Sequence, residues 1–276
     1  MTDYYGFPPP GPASAGPVPQ PVMPAASSVP PPAAPYPADG FAPVLECRAL
    51  TKSYGATPAL SPLSLALPRG RVVGLLGPNG SGKTTLIKLI AGLLRPTAGQ
   101  VLICGREPGA ETKALVSYLP ERPYFASGMK VTQTLRYFED FYPDFDRPLA
   151  QDMLARLAVP TDAHMEALSK GTKEKVQLVL VMARHAALYL LDEPIGGVDP
   201  AARDFILDTI IRNYRREATI LLSTHLVADV EHVLDEFVLL QYGTMALYST
   251  PTLVREQTGM RLDDYFREVF RCSPSF

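Results

Sequence analysis

The chain reads as an α/β fold with a mostly parallel core sheet, an antiparallel β edge and an inserted helical subdomain. Three observations lead there. Residues 71–94, RVVGLLGPNGSGKTTLIKLIAGLL, place an apolar run, a glycine-rich loop and an apolar-periodic segment in immediate succession. That is the pattern of a buried parallel strand turning into its crossover helix. A second unbroken apolar run, Ala187–Leu191, ends directly at Asp192-Glu193-Pro194, and carboxylates just past a buried parallel strand stand at the ligand-binding edge of such a sheet. From about residue 120 to 186 the apolar spacing changes to three and four, which inserts a helical subdomain after the first half of the core.

Taken in order, residues 1–43 hold 14 of the chain's 29 prolines, with Asp3 and Asp39 as their only charges. Such a segment cannot bury enough apolar surface to offset its ordering entropy, so it reads as a disordered, partly polyproline-II tail. Tyr4, Tyr5, Phe7 and Tyr36 are its candidate docking side chains, set against a plain flexible extension. A folded domain follows over residues 44–260. Val44–Leu50 and Leu63–Leu67 have the apolar content and turn-rich borders of strands, and they supply the antiparallel edge. Tyr54 lies between them, either as a packing residue or as a face on which a base stacks.

Val72–Leu76 is the first core strand, and Thr84–Leu94 its helix. Gln100–Cys104 and Leu115–Leu119 read as further strands, the latter ending at Pro120-Glu121. Val131–Phe141 and Pro148–Val159 then carry helical spacing. So does KEKVQLVLVMARHA, where Val176, Val179, Leu180 and Ala183 share a face. Ala218–Leu222 is a last core strand, running into Ser223-Thr224-His225. Residues 261–276 form a helical end.

A length of 276 residues with 46% hydrophobic side chains allows one large domain or two small ones around a real core. A formal charge of −2 gives no electrostatic footprint for nucleic acid, and no such partner is expected; the densest basic cluster, Arg212–Arg216, reads as a solvated helix end. Cys47, Cys104 and Cys272 are odd in number and widely spaced, which suits ordinary packing in a reducing compartment. The best candidate for a membrane span, Val176–Leu191, is interrupted by Gln177, Arg184 and His185. The first residues, MTDYYGFPPP, lack the basic and apolar regions of a secretory signal. A cytoplasmic location follows from these two readings.

The chemistry concentrates in Gly77-Pro78-Asn79-Gly80-Ser81-Gly82-Lys83-Thr84-Thr85, which matches G-x-x-x-x-G-K-[ST]. Glycines there let backbone N–H groups converge on phosphate oxygens, and the following helix directs its positive end at them. Lys83 reaches the β- and γ-phosphates as a point charge, and the Thr84 hydroxyl ligates Mg²⁺. Asp192 is placed to hold Mg²⁺ from the opposite side, and Glu193 to orient or deprotonate the attacking water. His225, directly after a core strand, joins them at the same edge.

With these residues in view, the chain resembles the nucleotide-binding subunit of an ATP-binding-cassette (ABC) transporter, of the type whose membrane permease is a separate polypeptide. The resemblance covers roughly residues 44–250. GPNGSGKTT stands as the family's phosphate loop, YLLDEP as its acidic strand, GGVDP, with Asp199, as its D-loop, and STH as its histidine switch. It implies a P-loop ATPase core, with ATP and Mg²⁺ as cofactors. Tyr54 falls at the family's adenine-stacking aromatic, Glu193 at its catalytic carboxylate and His225 at its γ-phosphate contact.

Two motifs depart from the family pattern. LSKGT replaces the common LSGGQ, keeping Ser169 and Gly171, which in the family meet the γ-phosphate bound by the opposite subunit; Lys170 and Thr172 are substitutions. Glu121 stands where the family normally has glutamine, and its carboxylate still suits water or Mg²⁺.

The expected function is therefore ATP hydrolysis that energises transport through an integral membrane permease, at the inner face of the cell membrane. The active form would be a homodimer or heterodimer with a second ABC subunit. The alternative is a soluble ABC ATPase whose ATP-driven dimerisation serves a non-transport role. The permease contact is expected on the surface around Glu121–Phe125 and Tyr137–Phe145, with the aromatics divided between an anchor groove and the subdomain's own core.

Overall fold

A computed structural model describes residues 42–122, 125 and 128–271. The proline-rich tail up to residue 41, its candidate docking aromatics, the last five residues of the helical end with Cys272, and Pro123 and Tyr124 of the expected permease contact lie outside the described residues.

The first two strands, β1 (Leu45–Tyr54) and β2 (Thr57–Leu67), form an antiparallel hairpin. Gly55 turns between them with φ +59°. β1 continues through Thr51–Tyr54, beyond the expected end at Leu50, with register shifts past Cys47, Leu50 and Lys52. The apolar pattern stops early because this end of the hairpin is not buried, so polar residues continue the strand without a hydrophobic signature. The expected antiparallel segments join β4 (Ala98–Ile103) in a three-stranded sheet of their own, in the order β2-β1-β4.

The larger sheet has six strands in the order β5-β6-β7-β3-β8-β9. These are β3 (Val72–Leu76), β5 (Val116–Leu119), β6 (Leu188–Asp192), β7 (Thr219–Thr224), β8 (Glu236–Gln241) and β9 (Thr244–Ser249). Neighbours pair in parallel from β5 to β8, and β9 closes the edge antiparallel to β8. All five residues of β3 and of β6 are buried, as a parallel sheet covered on both faces requires.

Side chains alternate between two cores, because successive residues of a strand point to opposite faces. Val73, Leu75, Leu190, Leu221 and Val238 pack with the three-stranded sheet and α1 (Lys83–Ile90). Val72, Leu76, Leu191, Leu222 and Leu239 pack on the other face. That second core takes in α6 (Pro200–Asn213), α7 (Val227–Val230), α8 (Pro251–Thr258) and α9 (Leu262–Arg271). α2 (Ala110–Leu115) leads into β5.

Between β5 and β6 the chain forms α3 (Val131–Phe141), α4 (Arg147–Arg156) and α5 (Lys170–Met182). Sequence periodicity assigns α5 one apolar face, but every residue from Val176 to Ala183 is buried. From Val176 onward the helix is enclosed on all sides, and even Gln177, 3% exposed, is accommodated by donating Nε2–H to Pro120 O at 3.2 Å. No helix among the described residues is long and apolar enough to cross a membrane.

Candidate functional site

Because β3, β5, β6, β7 and β8 run in parallel, their carboxyl ends share one edge of the sheet. The residues that follow them are, in turn, Gly77, Pro120-Glu121, Glu193, His225 and Tyr242. A cleft of about 1100 Å³ opens along this edge, and its lining includes Lys83, Thr84, Glu121, Glu193, His225 and Tyr242. Asn79, Gly80, Gly82 and Thr85 of the expected phosphate loop line it too.

The loop owes its path to glycine at two positions. A Cβ on Gly77 would lie 2.4 Å from Leu240 O, so no side chain fits there. Gly82 caps α1 with φ +103°, a conformation that L side chains rarely adopt. The turn closes through Ser81 N–H donating to Pro78 O at 3.2 Å. The amino end of α1, with its unpaired backbone N–H groups, thereby opens on the cleft.

Lys83 is the first residue of α1 and is 5% exposed. Its ammonium donates to Gly77 O at 2.8 Å and Pro78 O at 3.2 Å, and lies 3.4 Å from Glu193 Oε1. Burial pushes its pKa below the ordinary lysine value, while the Glu193, Asp192 and Glu121 carboxylates pull the other way.

Asp192 closes β6 at 1% exposure. One carboxylate oxygen, Oδ1, accepts from Thr84 Oγ1 at 3.1 Å and Ser223 Oγ at 2.7 Å. The other, Oδ2, is buried without a hydrogen-bond partner. Burial raises the carboxyl's pKa above its ordinary value, the two hydroxyls hold it down, and Glu121 and Glu193 add to the rise. A buried carboxylate with one oxygen unpaired, beside a threonine hydroxyl, offers the hard oxygen donors that Mg²⁺ prefers. Among the described residues no group of three or more His, Cys, Asp or Glu could hold a metal by itself. The donor set therefore fits a magnesium ion shared with phosphate oxygens, as is usual for that ion.

Glu193 adopts φ +50°, a left-handed conformation uncommon for a residue with a side chain. Its N–H donates to Ser223 O and Ser223 Oγ, both at 3.1 Å, so β7 holds the strained peptide in place. The side chain lies between two positive or polarisable groups: Lys83 on one side, and His225 Nδ1 at 3.1 and 3.2 Å from its two oxygens on the other. Ser223 thus serves both acidic residues, a role that its place in STH does not advertise.

Not every expected site residue joins this cluster. Tyr54, at the tip of the β1–β2 hairpin, is half exposed, with the Lys52 ammonium 5.2 Å from its ring centre. It is not among the residues lining the cleft, because β1 carries it straight out to the hairpin end. Ser169 caps α5, its Oγ accepting from Thr172 N–H at 3.2 Å. Ser169 and Gly171 are likewise absent from the lining, whereas Lys170 and Glu174 belong to it. Asp199 is exposed where α6 begins, its carbonyl accepting from Ala202 N–H at 2.8 Å. Glu121, expected both as a ligand and in the permease contact, lines the cleft and is not among the residues lining the aromatic groove described below. The end of β5, separated from β3 by β6 and β7, sets that position.

A separate groove of about 220 Å³ lies on the flank of the sheet, lined by Ala91, Leu93, Tyr118, Phe138, Tyr142 and Arg184 among others. Here the aromatics divide as helical spacing allows. Phe138 and Tyr142 pack inward beside Phe145, while Tyr137 and Phe141 stack on each other at 6.1 Å and remain 56% and 63% exposed.

Comparison with known proteins is in keeping with this geometry. Residues 60–196 match the family model described as "ABC transporter". Among curated relatives, the "ABC-type transporter ATP-binding protein EcsA" of Bacillus subtilis (strain 168) is 30% identical over 242 residues, 82% of this chain and 96% of the relative. The "Nod factor export ATP-binding protein I" of Ralstonia nicotianae is 30% identical over 234 residues, 82% of this chain and 73% of that one. A solved structure described as the "ATP binding subunit of ABC transporter" superposes with a TM-score of 0.74 at 33% identity, covering 82% of this chain and 99% of that one.

Proposed function

Because the chain belongs to the ABC transporter family of ATP-binding subunits, we propose that it binds and hydrolyses ATP to energise transport through a separate membrane permease. The observation that carries this reading is the convergence of Lys83, Thr84, Glu193 and His225, from three separated stretches of sequence, on one cleft beside a phosphate-loop turn, with Asp192 accepting from Thr84 Oγ1 just behind its wall.

ATP enters with its phosphates against the loop and the amino end of α1. Lys83 exchanges the Gly77 and Pro78 carbonyls for the β- and γ-phosphate oxygens, a charge-assisted contact in a site partly closed to water. Thr84 and Asp192 are the side chains that would hold Mg²⁺, with Glu121 a further carboxylate on the cleft wall; bound there, the ion would neutralise phosphate charge. Glu193 takes the proton of a water that attacks the γ-phosphorus in line, and ADP departs as the bond to its β-phosphate oxygen breaks. His225 donates Nδ1–H to the Glu193 carboxylate, holding it in place, and Nε2–H to the γ-phosphate, the doubly protonated ring being the form that can serve both anions.

The same reading assigns Ser169, Gly171 and Asp199 to the contact with a second ABC subunit. Their absence from the chain's own cleft lining accords with a site completed across a dimer. It also assigns the flanking groove to the permease, since an apolar trough rimmed by aromatic side chains suits a docked helix. The test is phosphate release by the purified chain in Mg²⁺-ATP, together with identification of the membrane protein that co-purifies from gently solubilised membranes. A chain that releases no phosphate, alone or with that membrane protein, would rule the reading out.

A further inference from the structure

A cavity of about 540 Å³ lies where the segment after α7 meets α8 and the start of α9. It shares no lining residue with the nucleotide cleft or with the aromatic groove. Its volume falls in the range of about 300–1,000 Å³ typical of small-molecule sites. Hydrogen-bond donors dominate its polar lining: Arg255 and Thr252 of α8, Arg261 just before α9, and His232 just after α7. Among the described residues, the Arg255 guanidinium, the His232 ring and the Thr252 hydroxyl form no hydrogen bond or ion pair. Glu231 is the only carboxylate among the described residues of the lining, and both of its oxygens are engaged. Oε1 accepts from Leu262 N–H at 3.2 Å and Oε2 from Arg261 at 3.4 Å. Two arginines against one satisfied carboxylate leave the cavity net positive, in a chain whose formal charge is −2.

The fold fixes the backbones that carry these donors. Val254, next to Arg255, and Leu262, next to Arg261, are both buried. Thr250 Oγ1 caps α8 by accepting from Leu253 N–H at 3.1 Å. Gly259 ends the same helix at φ +72°, its N–H donating to Arg255 O at 2.9 Å. In the turn that follows, Met260 N–H donates to Thr258 Oγ1 at 3.2 Å. The bond from Leu262 N–H to Glu231 then ties the segment after α7 to the start of α9. With their supports held in this way, the two arginines lose less freedom on gripping a ligand than side chains on a loose loop would.

We propose that this cavity is a second ligand site, built for a phosphomonoester that carries an organic body of about sugar size. A guanidinium presents N–H donors in a planar fork that matches phosphate oxygens, and its bonds to an anion are charge-assisted. Arg255 brings its whole fork, and Arg261 has one nitrogen directed at Glu231 and further donors to spare. The Thr252 hydroxyl and a ring N–H of His232 add donors on the same lining. A bare phosphate would leave most of the volume unfilled, and Ala228 and Pro251 supply an apolar wall for the rest of the molecule. Nothing in this assignment depends on the ATP reading of the nucleotide cleft.

Calorimetry on the full chain tests the site with ribose 5-phosphate, and with ribose as the control that lacks the phosphate. The Lys83→Ala variant separates this cavity from the nucleotide cleft, and Arg255→Gln and Arg255→Glu disable the cavity itself. Ribose 5-phosphate binding is expected to survive Lys83→Ala and to fall at least about 10-fold in both Arg255 variants, the scale of one charge-assisted hydrogen bond. Arg255 is exposed and unpaired, so its variants should keep the wild-type melting curve and ATP turnover. A lipid headgroup can present the same phosphomonoester, and co-sedimentation with phosphatidylcholine vesicles containing phosphatidic acid tests that source. Binding seen only with those vesicles, and lost in the Arg255 variants, assigns the site to a headgroup. Equal binding of ribose, loss of ribose 5-phosphate binding in Lys83→Ala, or the absence of Arg255-dependent binding to either phosphate probe overturns the inference.

Discussion

Lys83 and Glu193 face each other across the floor of the cleft, the ammonium 3.4 Å from the carboxylate, with both side chains at most 11% exposed. The pair joins the group that would grip the phosphates to the group that would activate the water. In the nucleotide-free protein each compensates the buried charge of the other, which is why neither is left as an isolated charge in a low-dielectric site. Phosphate entry must divide this pair: Lys83 transfers its charge to the new anion, and Glu193 is left with His225.

Replacing Lys83 by alanine removes that transferable charge. ATP turnover is expected to fall by at least about 10²-fold, the scale of a lost charge-stabilising donor in a water-excluded site. Steady-state phosphate release reads the effect, and near wild-type activity would remove Lys83 from the phosphate site.

Glu193→Gln keeps the side-chain shape but cannot accept a proton. Turnover should drop by about 10²- to 10⁴-fold while ATP binding persists. The variant should therefore accumulate with ATP bound, as a dimer if Ser169 and Gly171 act on the opposite subunit's nucleotide. Light scattering with and without ATP measures the mass, and a monomer that still hydrolyses ATP at the wild-type rate would exclude the proposed role.

The site was legible where chemistry and local pattern coincide. The phosphate loop, Asp192, Glu193 and His225 each follow an apolar run, and the carboxyl end of a buried parallel strand is where such groups gather. Tyr242 follows an apolar run too, Phe237–Leu240, and its Tyr-Gly pair ahead of a second β-type run is a hairpin signal. Yet a tyrosine carries no acid–base signature, and the bond from the neighbouring Gly243 N–H to Ser81 O follows from β8 pairing with β3, a contact that no local window encodes. The same limit separates Glu121 from the aromatics near it in sequence. Topology sends one to the cleft and the others to the sheet's flank. In α5 the helix was legible, but the complete burial of its second half, from Val176 onward, depends on neighbours distant in the chain.

Arg184 is a second consequence of long-range packing. In sequence it interrupts an apolar run; in the fold its side chain is 4% exposed and fully engaged. It donates to Val116 O at 2.7 Å and Ala114 O at 2.8 Å, bonds both Asp144 oxygens, and places its guanidinium 4.0 Å from the Tyr142 ring centre. Arg184→Ala would strand a carboxylate and two carbonyls, and should destabilise the chain by about 3–5 kcal/mol. Arg184→Lys keeps the charge without the planar fork and should recover only part of the loss. Urea unfolding measures both, and an alanine variant as stable as the wild type would show that the network contributes nothing.

The groove beside Arg184 provides the last test. Leu93 is 57% exposed at its edge, near Tyr118, Phe138 and Tyr142, and an apolar side chain so placed is better explained by a partner than by the fold. Leu93→Glu puts a charge into the trough without touching either core or the nucleotide cleft. An exposed substitution of this kind should change stability by no more than about 0.5 kcal/mol. A desolvated charge against a docked apolar helix, by contrast, should abolish the association. The expected outcome is a normal melting curve and normal nucleotide binding alongside loss of the co-purifying permease. Retained co-purification would move the permease contact away from this groove, while leaving the cleft chemistry as assigned.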